Sequence, residues 1–319
     1  MAPPAGRPAR WWRGDRGAWH GSHRGSWQRV RGAAARDGQR GVAGLPGGGH
    51  RRAGGPRARW PRRPAHLGRP TRADRRATPG DRLQPRYARP NEAIAPGAAD
   101  PMPVHVDDLV ALLRALGAAP AHLVGNSWGA FICLLTALRY PHVVHSLVLE
   151  EPPLLPLVLG SGARPQPAVL ARALRRRPRA TLAVLAFGLR TSAPMAWAYG
   201  RGDVQRALRI FARGVLGRQA LARLTPQRRQ QMRDSAAELQ AEFRAGFPPL
   251  AESQVRDVRV PTLLLTGERS PTVVRALSEW LADLLPDVEQ VVVPGASHLV
   301  HEDAPAFVND AVLGFVTRR

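Results

Sequence analysis

The sequence contains no lysine: all 47 basic residues are arginine, set against 24 acidic residues in a chain of 319. A surface built to hold phosphate ordinarily mixes the two, because lysine serves well as a point charge. Arginine alone, beside 31 glycines and 31 prolines, has the character of GC-rich coding DNA. Cysteine is nearly absent too. The single Cys133 excludes an internal disulfide framework and a cysteine-based zinc site, and six residues after Ser127 it reads as a small buried core residue. No segment reaches the roughly 18 apolar residues needed to span a bilayer, and no apolar-centred leader is visible. A cytoplasmic location without a membrane partner is expected. HExxH, a Gly-rich phosphate loop and GxGxxG after a strand are also missing, so neither a metal nor a nucleotide cofactor is expected.

What is present divides into two unlike parts. Hydrophobic residues make up 44% of the chain, enough for a sizeable core. The formal net charge is +23, which alone suggests nucleic acid as partner. Residues 1–90, however, hold 22 Arg against 4 acidic residues, and residues 91–319 hold 25 against 20. The excess therefore sits at one end. Residues 1–85 carry no strand alternation and no sustained helical stripe. They read as a low-complexity Arg/Gly/Pro segment, disordered or out of frame. No helix-turn-helix or paired ring-stacking motif accompanies the charge, so no specific nucleic-acid partner is expected.

From about residue 86 the pattern changes. Val106, Leu109, Leu112, Leu113 and Leu116 stand at helical spacing over 105–116, with Gly117 as a stop. Short apolar strands are expected at 121–126, 143–149, 261–266 and 289–293, and helices at 127–140, 270–285 and 304–317. Thr225 and Pro226 open a helix expected to run to Gly246, and Ser270 and Pro271 repeat that start signal. Nearly all-apolar strands alternating with helices predict an α/β class with a mostly parallel sheet covered on both faces. Residues 152–256 are rich in Ala, Leu and Arg. They are too long for a loop and read as a helical cap, between core segments 86–151 and 257–319.

The sharpest motif is Gly125-x-Ser127-x-Gly129, set between an expected strand and an expected helix. A serine there sits on a strained turn at a helix N-terminus, where free N–H groups and partial positive charge meet a developing oxyanion. With this motif and PGASH at 294–298 after the last strand, residues 86–319 resemble the C-terminal two thirds of an α/β-hydrolase; residues 1–85 do not. The resemblance implies a triad in the order Ser, acid, His: Ser127 as nucleophile, His298 as base, and the backbone N–H of Trp128 as one oxyanion donor. His301 is the other candidate base, otherwise expected at the start of the last helix.

The acid is open between three carboxylates. The loop after the third strand, where the family usually places an Asp, reads TGERSP and offers Glu268 alone. Some members, haloalkane dehalogenases among them, take a Glu just after the strand that follows the nucleophile helix. That place reads LVLEEPP, with Glu150 and the favoured Glu151. Ser127 excludes dehalogenation, which needs a carboxylate nucleophile. It fits acyl transfer to an ester, lactone, thioester or amide. Phe187, Met195, Trp197 and Tyr199 are candidates for lining an acyl pocket or for packing between cap helices. The resemblance implies a serine hydrolase with a small acyl substrate and no cofactor. Its rivals are a catalytically dead pseudo-hydrolase that only binds, and an Arg-rich nucleic-acid binder.

The family also needs leading strands and an HG-type loop for a second oxyanion donor. The dipeptide His20-Gly21 has no strand before it and is assigned no role. The composition, the missing strands and the abrupt change near residue 86 all agree with a shifted reading frame over residues 1–85. A chain lacking that half would expose a strand edge, lose an oxyanion donor, and be weakly active or inactive. Sequencing the coding DNA across codons 60–95 tests this. A shift is expected, whereas an uninterrupted frame with peptides detected from residues 1–85 would overturn it.

Overall fold

The structure, a computed structural model, describes residues 82–88, 91–161 and 165–319. The segment 1–81, with its His20-Gly21 dipeptide, lies outside the described residues. Among the described residues four strands pair in chain order, all parallel: β1 (Ala121–Asn126), β2 (Val144–Glu150), β3 (Thr262–Gly267) and β4 (Val288–Val293). Every residue of β3 is buried, and every residue of β2 but one, because helices cover both faces.

The alternation of side chains assigns each strand residue to a face. Leu147 and Leu149 of β2 and Leu264 of β3 join one core, formed with α1 (Met102–Ala115), α2 (Trp128–Arg139) and α11 (Thr272–Leu284). Phe131, Leu134, Trp280 and Leu281 fill that side. Val148, Leu263 and Leu265 point the other way, into a second core with Val308 and Phe315 of α13 (Pro305–Val316). Two-sided burial is why these strands read as continuous apolar runs. Among the described residues β1 pairs on one side only, and Val124 is 48% exposed.

Between β2 and β3 the chain is helical. It runs through α3 (Pro156–Leu159), α4 (Pro167–Arg176), α5 (Pro178–Phe187), a π-helical turn (Gly188–Ser192) and α6 (Ala193–Gly200). It continues through α7 (Val204–Arg223), α8 (Pro226–Asp234), α9 (Ala236–Ala245) and α10 (Glu252–Arg256). Thr225 caps α8 by accepting the Arg228 N–H at 3.1 Å. The single helix expected from Thr225 to Gly246 is in fact two, because Ser235 leaves helical geometry at φ −93°, ψ 15°.

Two other boundaries differ from expectation. Ser270 does not cap α11: its N–H still bonds the Gly267 carbonyl in a turn, and the N-cap is Pro271. His301, Glu302 and Asp303 do not start the last helix but form their own turn, α12 (Val300–Asp303). Pro305 drives the preceding Ala304 out of helical geometry, to φ −136°, ψ 58°. No helix among the described residues is long and apolar enough to cross a membrane.

The segment before α1 is fastened to the helices between β2 and β3. The Asp100 N–H donates to the Ala241 carbonyl at 3.1 Å, and its carboxylate pairs with His105 Nε2 at 2.8 Å. Beside it, burial and then the charges of Asp100 and Glu238 push the Glu242 carboxyl up to about 8. A carboxyl whose folded pKa is raised favours the fold below its unfolded pKa and loses that contribution as pH rises through the folded value. Replacing Glu242→Gln is expected to leave Tm nearly unchanged at pH 5. At pH 8.5 it should raise Tm by a few degrees, on a scale of roughly 2–4 °C per kcal/mol. Thermal melts of both proteins at the two pH values check this.

Candidate active site

β1 ends at Asn126 and α2 begins at Trp128, so Ser127 alone turns the chain, at φ 51° and ψ −116°. Its own N–H donates to the Glu150 carbonyl at 2.7 Å, which pins the turn to the last residue of β2. The Ser127 side chain makes no cap bond to α2. At the first turn of α2 the Trp128 N–H has no intrahelical acceptor and lies at the positive end of the helix dipole.

Space explains only one of the two flanking glycines. A Cβ on Gly125 would lie 2.5 Å from the backbone carbon and oxygen of Gly129 and 2.7 Å from the Ala130 nitrogen. A Cβ on Gly129 would meet nothing within 4 Å. The strand therefore needs glycine at 125 because the backbone at 129 rests on it.

His298 lies in the loop between β4 and α12, and Glu151 is the first residue after β2. Both are buried, and His298 Nδ1 stands 2.6 Å from Glu151 Oε2. The other carboxylate oxygen, Oε1, accepts the Gly267 N–H from the end of β3 at 2.7 Å. With Nδ1–H donating to the carboxylate, Nε2 is the nitrogen left free to take a proton. Asn126 Nδ2 donates to the His298 carbonyl at 3.3 Å, tying the residue before Ser127 to the histidine loop. Ser127 and Glu151 (φ 53°) are the non-glycine positive-φ residues among those described. Each such conformation costs on the order of 1–3 kcal/mol, so the strain is concentrated here.

The other candidates go elsewhere. Exposed Glu268 accepts the Gly295 N–H at 2.7 Å. Buried Glu150 pairs through Oε1 with His301 Nδ1 at 3.1 Å. Among the helices between β2 and β3, Met195 packs with Ala198 and Ala207, and Phe187 leans on the main core. The Tyr199 ring lies 5.5 Å from that of Phe243. Trp197 turns outward, 52% exposed, with Arg201 and Arg206 each 4.8 Å from its ring, so it neither lines the site nor packs between helices. Cys133 is a buried core residue, and burial pushes its thiol up to about 12. A cavity of about 660 Å³ opens between α7 and α8 and is lined by none of the candidate residues.

Sequence reasoning missed Phe247. Its ring lies 5.6 Å from that of Trp128, the residue after Ser127, and 6.0 Å from that of Phe131. The available signal was an aromatic residue directly after Gly246, where α9 ends. The roles of Gly267 N–H and Asn126 had no signal, because both depend on how strands and loops converge.

Residues 70–305 match the family described as the alpha/beta hydrolase fold. That match begins upstream of residue 86, where the resemblance was first legible. A 2-(acetamidomethylene)succinate hydrolase from Mesorhizobium japonicum is 30% identical over 213 residues, covering 66% of this chain and 69% of its own. Among solved structures, a hydrolase from Pseudomonas aeruginosa aligns with TM-score 0.55 at 21% identity, over 75% of this chain and 79% of that one. A carboxylesterase from Bacillus subtilis aligns with TM-score 0.47 at 22% identity, over 71% and 70%.

The unequal glycines give a paired test. Gly125→Ala sets a side chain against backbone that no rotamer change can relieve, and is expected to cost about 3 kcal/mol or more. Gly129→Ala is expected to raise Tm by a few degrees at most, roughly the propensity gain of Ala over Gly. Thermal unfolding of the two variants side by side measures the difference.

Proposed function

The chain belongs to the α/β-hydrolase fold family, and we propose that within it the protein is a serine hydrolase acting on an ester, lactone or related acyl bond. The observation that carries this reading is the buried 2.6 Å pair of Glu151 and His298. Ser127, on its strained turn at a helix N-terminus, is tied to the same strand end through the carbonyl of Glu150, the residue before Glu151. Ser127 Oγ attacks the acyl carbon as His298 Nε2 accepts its proton. The oxyanion that forms lies at the N-terminus of α2, where the Trp128 N–H donates to it. Collapse expels the leaving group with the proton from His298. Water, deprotonated by the same imidazole, then releases the acyl group and restores Ser127.

Glu151 holds the Nδ1–H tautomer of His298 and offsets the imidazolium charge as it forms. The Gly267 N–H to its second oxygen keeps the carboxylate oriented. Glu268 serves instead to shape the histidine loop through Gly295. Trp128 and Phe247 supply an apolar wall for a small acyl substrate. The similarity to a protein named for hydrolysing 2-(acetamidomethylene)succinate supports hydrolysis as the reaction class. None of these steps calls on a cofactor.

A fluorophosphonate probe is expected to label the protein at Ser127 and to fail with Ser127→Ala. Across a panel of acyl esters and lactones, Glu151→Gln is expected to lower kcat by about ten-thousand-fold, the scale of losing the tautomer-holding acid. Glu268→Gln is expected to stay within about threefold. Hydrolysis that survives in Ser127→Ala would overturn the mechanism. A folded protein that neither labels nor hydrolyses would favour a binding role, and steeply salt-dependent affinity for DNA or RNA would favour the nucleic-acid reading.

A further inference from the structure

Glu150 and Glu151 are consecutive, and each is paired with one of two histidines three residues apart. Glu151 meets His298, and Glu150 meets His301, so two Glu–His pairs join the end of β2 to the chain around α12. The second pair has a distinctive chemistry. His301 Nδ1 is 3.1 Å from Glu150 Oε1, a carboxylate oxygen. Its Nε2 is 2.9 Å from Asn309 Oδ1, an amide carbonyl oxygen on α13. With the Asn309 amide turned this way both neighbours are acceptors, and only an imidazolium can donate to both at once.

Resting on the reading of Ser127, His298 and Glu151 as the acting groups, we propose that His301 is a positioning residue. Held as a cation between Glu150 and Asn309, it braces the His298 loop against the end of β2, and loss of its proton sets the alkaline limit of activity. The leverage comes from Glu150. Its backbone carbonyl accepts the Ser127 N–H at 2.7 Å, and the next residue is Glu151 in its positive-φ conformation. A shift of Glu150 therefore moves both the elbow and the carboxylate that orients His298. Glu150 is 2% exposed and its Oε2 has no hydrogen-bond partner among the described residues, so neutralising His301 removes the paired charge of a buried carboxylate.

The surroundings of His301 are mixed in charge. Glu150 faces it from β2, Asn309 from α13 and Arg82 from the segment before α1. Glu302 is its neighbour on α12 and pairs with Arg228 of α8 at 3.0 Å. Asp303, also on α12, turns back to accept both the N–H and the hydroxyl of Ser297, at 2.8 and 2.5 Å. Burial alone lowers the His301 pKa, but the hydrogen bond and charge of Glu150, with the Asn309 bond, outweigh it and the opposing charge of Arg82. The net direction is upward. The brace is therefore fully present below the ordinary imidazole value and is lost as pH rises through the raised one.

Two measurements test this. The first is the pH dependence of kcat and KM for the wild type, His301→Gln and His301→Lys. The wild type should lose kcat above the ordinary imidazole range. His301→Gln should lower kcat more than about tenfold, as a small misplacement of catalytic groups does, with KM within about twofold and no alkaline fall. His301→Lys, which keeps a cation, should recover much of kcat and also lack the fall. An alkaline limb unchanged in His301→Gln would overturn the proposal. The second is side-chain 15N NMR of His301 in Ser127→Ala, which needs no turnover. Both ring nitrogens should be protonated at pH 7, and a single neutral tautomer there would overturn the proposal. Residual hydrolysis by Ser127→Ala would instead count against the serine mechanism, leaving the NMR result to speak for His301 alone.

Discussion

The carboxylate of Glu151 is reached from three directions, and the rest of the candidate site is arranged around it. Its backbone leaves β2 in the left-handed region, which aims the side chain back across the ends of the strands. One oxygen takes His298 and the other takes the N–H of Gly267 at the end of β3. Pairing both oxygens offsets the cost of burying this carboxylate, so the one residue draws the β4–α12 loop and the β3 terminus together at the end of β2. The Ser127 turn is drawn to the same place by its bond to the Glu150 carbonyl. Four backbone segments thus meet at the C-terminal ends of three parallel strands, where open α/β sheets place their ligands.

The strain at Ser127 and Glu151 has to be offset by the packing behind it. β2 and β3 are buried on both faces, and the two cores they divide hold the largest buried side chains, including Trp280, Phe131 and Phe315. The rigidity of this central pair fixes the register Leu147 to Thr262 through Glu150 to Leu265, and with it the height at which β2 ends relative to β3. The edge strands are less enclosed. β1 carries the elbow yet, among the described residues, it is paired on one side only.

Much of the sheet was legible in the sequence because parallel strands buried on both faces announce themselves as short unbroken apolar runs. β1 was found at its observed bounds, and the other three within a residue. Ser127, His298 and the three candidate carboxylates were legible from motif and context. The divisions between helices were less so. A break at Ser235, a turn at Ser270 and the separation of α12 from α13 depend on single φ/ψ choices, which neighbouring contacts decide. Trp197 had the chemistry of a pocket residue and stands in solvent between two arginines. Its helix reads as apolar almost all round, so no stripe marked the inward face.

The sequence by itself determined the α/β class, the elbow at Gly125-x-Ser127-x-Gly129 and the set of residues from which a triad could be drawn. Each of these is a local property: periodicity, a compulsory glycine, a residue type at a turn. It also located the charge excess in residues 1–90, upstream of the motif residues in the chain. Only the tertiary structure decided which carboxylate meets which histidine. Glu150 and Glu151 are adjacent in sequence, but successive residues leaving a strand point in different directions, and so they take partners 151 and 147 residues away. The same folding turned Glu268 toward Gly295 and set Phe247 against Trp128. Pairings across such separations are fixed by strand register and loop geometry, which no local pattern of residues encodes.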